Sequence, residues 1–405
     1  MIDFSEIPDW ILVLTPVAIF MAWLFLRPQA TNADKKHQLS SEYFTGLNYL
    51  LNDEQGKALD IFVKLVESDW EIIDTHFALG KIFRKNGEID KAIKIHQGLI
   101  ARPSLPEKYR CQVLLELGYD YLGAGWFDRA EGLFKEVLIL DKNSAIARRN
   151  LIIIYQQEKD WHKAIDIAVE LYEENLSGLS SDMGASGTGQ LDMGQMISQF
   201  YCELADISRA KGDVNQTEHN AKKALQYDAG SVRASMLLAE LAIDQENYKQ
   251  AIYHFEQIEQ QDADFIPVIL DQLIECYHRL DAPEALLKYL DELEERCSSV
   301  VLLEKHASTI ESYQGSDAVI EYLSGKLKNH PSLQGMHHLL AYMSERAGNE
   351  DARLMEDLTS ALQVMQKDDN EFQCHHCGFQ SNTLYWLCPG CQSWGEVKPA
   401  LIGFT

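Results

Sequence analysis

Two cysteine pairs near the C-terminus have the type and spacing to do chemistry: Cys374-His-His-Cys377 and Cys388-Pro-Gly-Cys391, separated by residues 378–387. A Cys-x-x-Cys turn aims two thiolates at one point, so two such turns supply the tetrahedral four-sulfur shell that zinc prefers. The candidate metal ligands are therefore Cys374, Cys377, Cys388 and Cys391, with Gly378 and Gly390 placed to relieve the tight backbone of the turns. Two other chemistries fit the same residues: iron in a four-thiolate electron-transfer centre, and a pair of redox dithiols. Zinc leads, because the chain carries no flavin or nucleotide motif that would give an electron carrier its partner. A complete thiolate set leaves His375 and His376 no vacancy at the metal.

A closed four-sulfur site keeps no open position for a substrate. The chain also lacks a phosphate loop, a dinucleotide fingerprint and a Ser-His-Asp order at family spacing, so the sequence points to no enzyme. His76, His96 and His254 fall on repeat helices, where satisfied structural positions are the rule. Cys111, Cys202, Cys276 and Cys297 stand singly and read as small buried apolar residues, and a disulfide framework belongs to small secreted domains rather than to a chain of this length. The 62 acidic and 36 basic residues give a formal charge of -26, which excludes nucleic acid and favours basic or amphipathic partners.

A ribbon built on these knuckles is too short for a core of its own, so the metal should supply most of its folding energy. Phe379, Tyr385, Trp386 and Trp394 exceed what the ligand loop can bury. They are expected to dock the ribbon against the last helices or a neighbouring repeat.

The element that must carry the ribbon is periodic. Small residues, most of them preceding an apolar one, recur at Ala58, Ala92, Ala130, Ala164, Thr217, Ala251, Ala285, Ala318 and Ala352, with gaps of 34, 38, 34, 53, 34, 34, 33 and 34. A 34-residue period is the tetratricopeptide length, in which two antiparallel helices form a unit that cannot bury its apolar face without a neighbour. Gly46, Tyr49, Ala58 and Phe62 in the first unit, and Gly118, Tyr121, Ala130 and Phe134 in the third, fit its pattern of close approach and ring. The fold class is therefore all-α, a superhelix of about nine such hairpins over residues 39–366. Stacked hairpins curve so that their first helices line a concave face, which places Tyr43, Phe77, Lys81, Arg84, Tyr119 and Arg149 inward as groove candidates or as ordinary core and solvated residues. The 53-residue gap is one repeat plus an insertion at 177–195, rich in Gly and Ser and expected to be a mobile loop, whether a tolerated insertion or a hinge.

At the other end, Trp10 to Leu26 is apolar but for Thr15 and Pro16, and a helix started at Ile7 spans about 30 Å, enough to cross a bilayer. Asp3, Glu6 and Asp9 precede the run and Arg27, Lys35 and Lys36 follow it, the reverse of a cleavable signal. The segment reads as a retained anchor with everything after it on the cytoplasmic side. A buried helix of a soluble protein is the alternative, and the run shows no amphipathic stripe to support it. The expected organisation is an anchor at 1–27, a linker at 28–38, the repeats, and a metal-binding domain at 370–405.

An apolar N-terminus, then Gly46-Leu-Asn-Tyr-Leu-Leu51, Phe83-Arg-Lys-Asn-Gly-Glu88 and Ile93-Lys-Ile-His-Gln97, then Cys377-Gly-Phe, Thr383-Leu-Tyr-Trp386, Cys388-Pro-Gly-Cys391 and Lys398-Pro399 form one combination. It resembles the lipopolysaccharide assembly protein B family of Gram-negative bacteria over essentially the whole chain. The resemblance implies a single-pass protein of the cell inner membrane, with its tetratricopeptide repeats and a rubredoxin-like zinc domain facing the cytoplasm. It also implies partners: the FtsH membrane protease, the lipid A deacetylase LpxC whose degradation that protease carries out, and other lipopolysaccharide assembly proteins. The four cysteines carry over directly. The Gly/Ser insertion and the tail from Ala400 to Thr405 depart from the family pattern. A general scaffold for envelope enzymes and a rubredoxin-like electron carrier are the competing functions, and a homo-oligomer is compatible with either.

Overall fold

A computed structural model describes residues 44–46, 48–49, 54–68, 73–103, 105–176, 193–297, 299–329, 331–344, 349–365 and 371–400. The chain divides into two compact units, Met1–Ile154 and Tyr155–Thr405. In the first unit lie α1 (Gln55–Ser68), α2 (Ile73–Lys85), α3 (Ile89–Ile100), α4 (Glu107–Gly123), α5 (Phe127–Leu140) and most of α6 (Ala145–Gln157). The second holds the end of α6, then α7 (Trp161–Leu176), α8 (Met193–Ala210), α9 (Val214–Tyr227), α10 (Val232–Asp244), α11 (Tyr248–Gln261), α12 (Ile266–Arg279), α13 (Pro283–Arg296), α14 (Val300–Gln314), α15 (Ser316–Asn329), α16 (Leu333–Ser344) and α17 (Asn349–Met365). A 3-10 turn, Ala263–Phe265, precedes α12.

The hairpins close where the sequence places its small residues. Ala58, Ala92, Ala130, Ala164, Thr217 and Ala251 are each the fourth residue of a second helix, and each is fully buried. One turn later stands a ring that leaves no room for a side chain on the first helix. A Cβ on Gly46 would meet the Phe62 ring at 2.8 Å, on Gly118 the Phe134 ring at 2.7 Å, and on Gly80 the His96 ring at 2.3 Å. His96 thus takes the aromatic place of its repeat, and its Nδ1 bonds Asp120. Thr217 is tolerated at a fully buried position because its Oγ1 donates back to the Asp213 carbonyl at 2.8 Å.

The turns between paired helices pass through the left-handed region. Gly87 and Gly125 adopt it at no steric cost, while Lys159, Glu246 and Asp281 hold the same kind of turn with φ of 58°, 59° and 50°. Capping helps fix where second helices begin: Asp213 and Asn247 side chains accept from the backbone N–H of Gln216 and Gln250.

Three expectations need correction. Ala285 is exposed and Ala318 only half-buried, whereas Leu286 and Val319, the fourth residues of α13 and α15, are fully buried. The small-residue position therefore shifts by one in the hairpins of α13 and α15, where an aliphatic side chain takes the buried place. Phe77 is buried against Leu99 and Val113 and belongs to the core rather than to a groove. Met193, Gly194 and Gln195, assigned to the mobile insertion, form the first turn of α8, and a Cβ on Gly194 would lie 2.7 Å from the Tyr227 carbonyl oxygen. The remainder of the insertion, Tyr43, the linker and the expected anchor lie outside the described residues. Among the described residues no helix is long and apolar enough to cross a membrane.

After α17 the chain forms a small antiparallel sheet in the order β2-β1-β3, from β1 (Phe372–Cys374), β2 (Gln380–Ser381) and β3 (Val397–Pro399). Phe372 pairs with Ser381 on one side and with Pro399 on the other. Its few apolar residues, Val397 with Phe372, Phe379 and Leu384, pack around Cys374 and Cys388.

Candidate metal centre

Two similar turns build the site. In the first, the Gly378 N–H donates to the Cys374 carbonyl at 2.9 Å; in the second, the Gln392 N–H donates to the Cys388 carbonyl at 2.8 Å. The residue after each pair must be left-handed, at φ 77° for Gly378 and 59° for Gln392. Gly390 therefore does not relieve a strained backbone as expected. Its role is space, since a Cβ there would sit 3.3 Å from Cys377 Sγ.

The four sulfurs of Cys374, Cys377, Cys388 and Cys391 all lie within 4.8 Å of one another. Cys374 and Cys391 are 3.8 Å apart, and Cys377 and Cys388 are 3.7 Å apart. A tetrahedron with metal–sulfur bonds of about 2.3 Å separates its sulfurs by about 3.8 Å, so the donor set fits a thiolate-bound metal ion. Geometry at this level serves zinc and iron alike. Burial pushes the Cys374 thiol up to about 12, while Ser393 Oγ, 3.4 Å from Cys391 Sγ, helps draw that thiol down to about 6. The isolated cysteines differ: Cys202 and Cys276 are fully buried, their thiols raised by burial to about 12 and about 11, and are inert core residues. Cys111 and Cys297 are only half-buried, short of the expected burial.

The surplus aromatics do dock the ribbon, but on helices far from α17. Trp394, 2% exposed, packs edge-on against Trp161 of α7 and Phe200 of α8, and its Nε1–H donates to Gln156 Oε1 at 3.2 Å. Trp386 stacks on Phe265 with ring centroids 5.6 Å apart and planes 11° from parallel. Between them lies the Arg233 guanidinium of α10, 5.7 Å from the Trp386 ring and 6.0 Å from that of Trp394. Arg233 is 5% exposed and is held by Glu203 at 2.8 Å, Asp206 at 2.6 Å and Gln199 at 3.2 Å. A charge can be buried this deeply only with such partners. Lys398 Nζ pairs with Asp262 at 2.6 Å, and Gln157 donates to Gln392 at 2.7 Å. Tyr385 stays exposed and meets Phe379 edge-on.

Arg233, Gln156 and Asp262 had no signal in the sequence. They matter only because folding brings residues more than a hundred positions away onto them. Of the groove candidates, Lys81 and Arg84 are tied to Glu116 at 2.9 and 2.7 Å, Arg84 also reaches Asp120 at 2.6 Å, and Tyr119 lies under the Arg84 guanidinium.

Comparison with known proteins follows the same division. A family model described as Rubredoxin metal binding domain matches residues 372–399, and one described as Tetratricopeptide repeat matches 115–178. Lipopolysaccharide assembly protein B of Escherichia coli K12 is 31% identical over 96% of this chain and 98% of its own length. The chain belongs to the lipopolysaccharide assembly protein B family. A second member, from Haemophilus influenzae, is 30% identical over the same shares of the two chains. Among solved structures, that of MamA is 18% identical with a TM-score of 0.31, over 46% of this chain and 95% of MamA; so loose a superposition carries nothing further. Family membership thus extends along both the repeats and the ribbon, and the four-sulfur centre lies inside the matched rubredoxin segment.

Proposed function

We propose that this chain is a non-catalytic adaptor of the cell inner membrane that controls lipopolysaccharide synthesis by acting with an FtsH-type protease on an LpxC-type deacetylase. The observation that carries the reading is the seat of the ribbon on α6–α8, α10 and the turn before α12, through Trp386, Trp394 and Arg233. It joins repeats and metal knuckle into one surface that a partner would meet as a unit. Membership of a family named for lipopolysaccharide assembly, matched over nearly the full length, supports the process.

In this reading Cys374, Cys377, Cys388 and Cys391 hold zinc, which supplies folding energy and no chemical step. The Trp10–Leu26 segment is the anchor and raises the local concentration of the array near a membrane protease. The chain contributes proximity rather than catalysis. Pull-down of the full chain with the deacetylase and the protease, with and without Cys377→Ser, tests it. Binding of both by the wild type, weakened by the substitution, is the expected result; binding of neither sinks the reading.

The rubredoxin match keeps an iron-bearing electron carrier as the second reading. Metal analysis and an absorption spectrum separate the two, since a ferric thiolate centre is coloured and zinc is not.

A further inference from the structure

Among the described residues, nothing covers one apolar face of the last helical pair. On α17, which packs against α16, Ala352, Met355, Thr359 and Leu362 share one side of the helix and are half-buried. A second stripe, Leu354, Leu358 and Ala361, recurs at i, i+4 and i+7 on another face and is exposed, Leu354 by 61% and Leu358 by 47%. On α16, Leu333 and Met336 are 48% and 42% exposed. In a stacked array this is where the next repeat would pack, and a terminal repeat ordinarily turns a polar face outward. The sequence from Gln366 to Glu371, before the ribbon begins, is too short to supply a capping helix.

The charge of the helix, with Asp357 one turn from Leu354, selects its occupant. The sequence of α17 carries Glu350, Asp351, Glu356 and Asp357 against the single cation Arg353, and Glu356 and Asp357 are exposed. Two copies of this helix would bring like charges together, whereas a helix with an apolar stripe flanked by Lys or Arg meets both the leucines and the carboxylates. We infer that the outer face of α16–α17 docks a basic amphipathic helix of a partner protein, which stacks there in place of the missing next repeat.

The test uses the full chain in zwitterionic nanodiscs, with empty nanodiscs as baseline, and two fluorescent helical peptides of one leucine pattern, one flanked by Lys and one by Glu. Wild type is expected to bind the Lys peptide about tenfold more tightly than the Glu peptide. Leu354→Glu with Leu358→Glu should weaken Lys-peptide binding by about tenfold. Glu356→Lys with Asp357→Lys, which keeps the leucines, should reverse the preference. Both pairs alter exposed side chains, and unchanged circular dichroism verifies the fold. Lys-peptide affinity unaffected by the leucine substitutions overturns the inference, as does a preference that the charge swap leaves in place. A wild-type dimer that the leucine substitutions dissociate assigns the face to a second copy instead, and likewise overturns it.

Discussion

Cys377 is the most exposed member of a sulfur set whose other members are half-buried or buried, so its loss changes the metal shell with the least direct damage to packing. Cys377→Ser is expected to abolish stoichiometric metal binding and, with it, the fold of the ribbon, read as metal content and as the environment of Trp394 in fluorescence. Arg233→Met tests the cation between the tryptophans. It removes two faces of cation–π contact and leaves Glu203 and Asp206, both partly exposed, to water, so a loss of about 2 kcal/mol in chemical denaturation is expected with metal content unchanged. The cysteines were legible because ligand chemistry dictates both residue type and local spacing. Arg233 was not, since nothing within its own helix distinguishes it from a surface arginine. Glu294 adds a pH dependence. Burial disfavours its charge, but hydrogen bonds from His306, Lys326 and Tyr322 outweigh that and hold its pKa below the ordinary value. A depressed carboxyl pKa contributes stability that is present above the unfolded value of about 4.3 and is lost as pH falls through the folded one. Acid unfolding of α13–α15 should therefore begin below about pH 4.3, and Glu294→Gln should flatten that part of the stability–pH profile.

At the scale of the element, the hairpins were legible wherever a glycine and a ring mark the closest approach. Gly46 with Phe62 and Gly118 with Phe134 fix the register of their pairs from sequence alone. The later hairpins slipped by one residue because the same contact is made by Leu286 and Val319, which leave no small-residue mark, while Ala285 merely stands beside it. Leu286→Ala should accordingly cost about 2–5 kcal/mol, and Ala285→Ser should stay within about 0.5 kcal/mol, both measured by thermal or urea unfolding. The close approach of Gly80 to His96 gives a companion test. Gly80→Ala forces the ring from its Asp120 hydrogen bond, with an expected loss of about 1–3 kcal/mol. His96 leaves no mark of this in the sequence, because the first and third repeats carry a phenylalanine at the same place.

At the scale of the whole molecule, the ribbon was expected against the last helices or a neighbouring repeat, and it packs on α7, α8, α10 and the turn before α12. Sequence order places Trp394 after α17, but burial decides where it goes, and the pocket formed by Trp161, Phe200 and Gln156 accepts both its ring and its N–H. The seat is what makes the metal relevant to the repeats, since a ribbon that unfolds takes Trp386 and Trp394 off the array together. The direct measurement is the half-life of the LpxC-type deacetylase in cells lacking this chain, restored with wild type or with Trp386→Ala and Trp394→Ala combined, metal content being checked in parallel. The account predicts a lengthened half-life on deletion, restored by wild type and left long by the metal-loaded double variant. An unchanged half-life on deletion, or full restoration by the double variant, contradicts it.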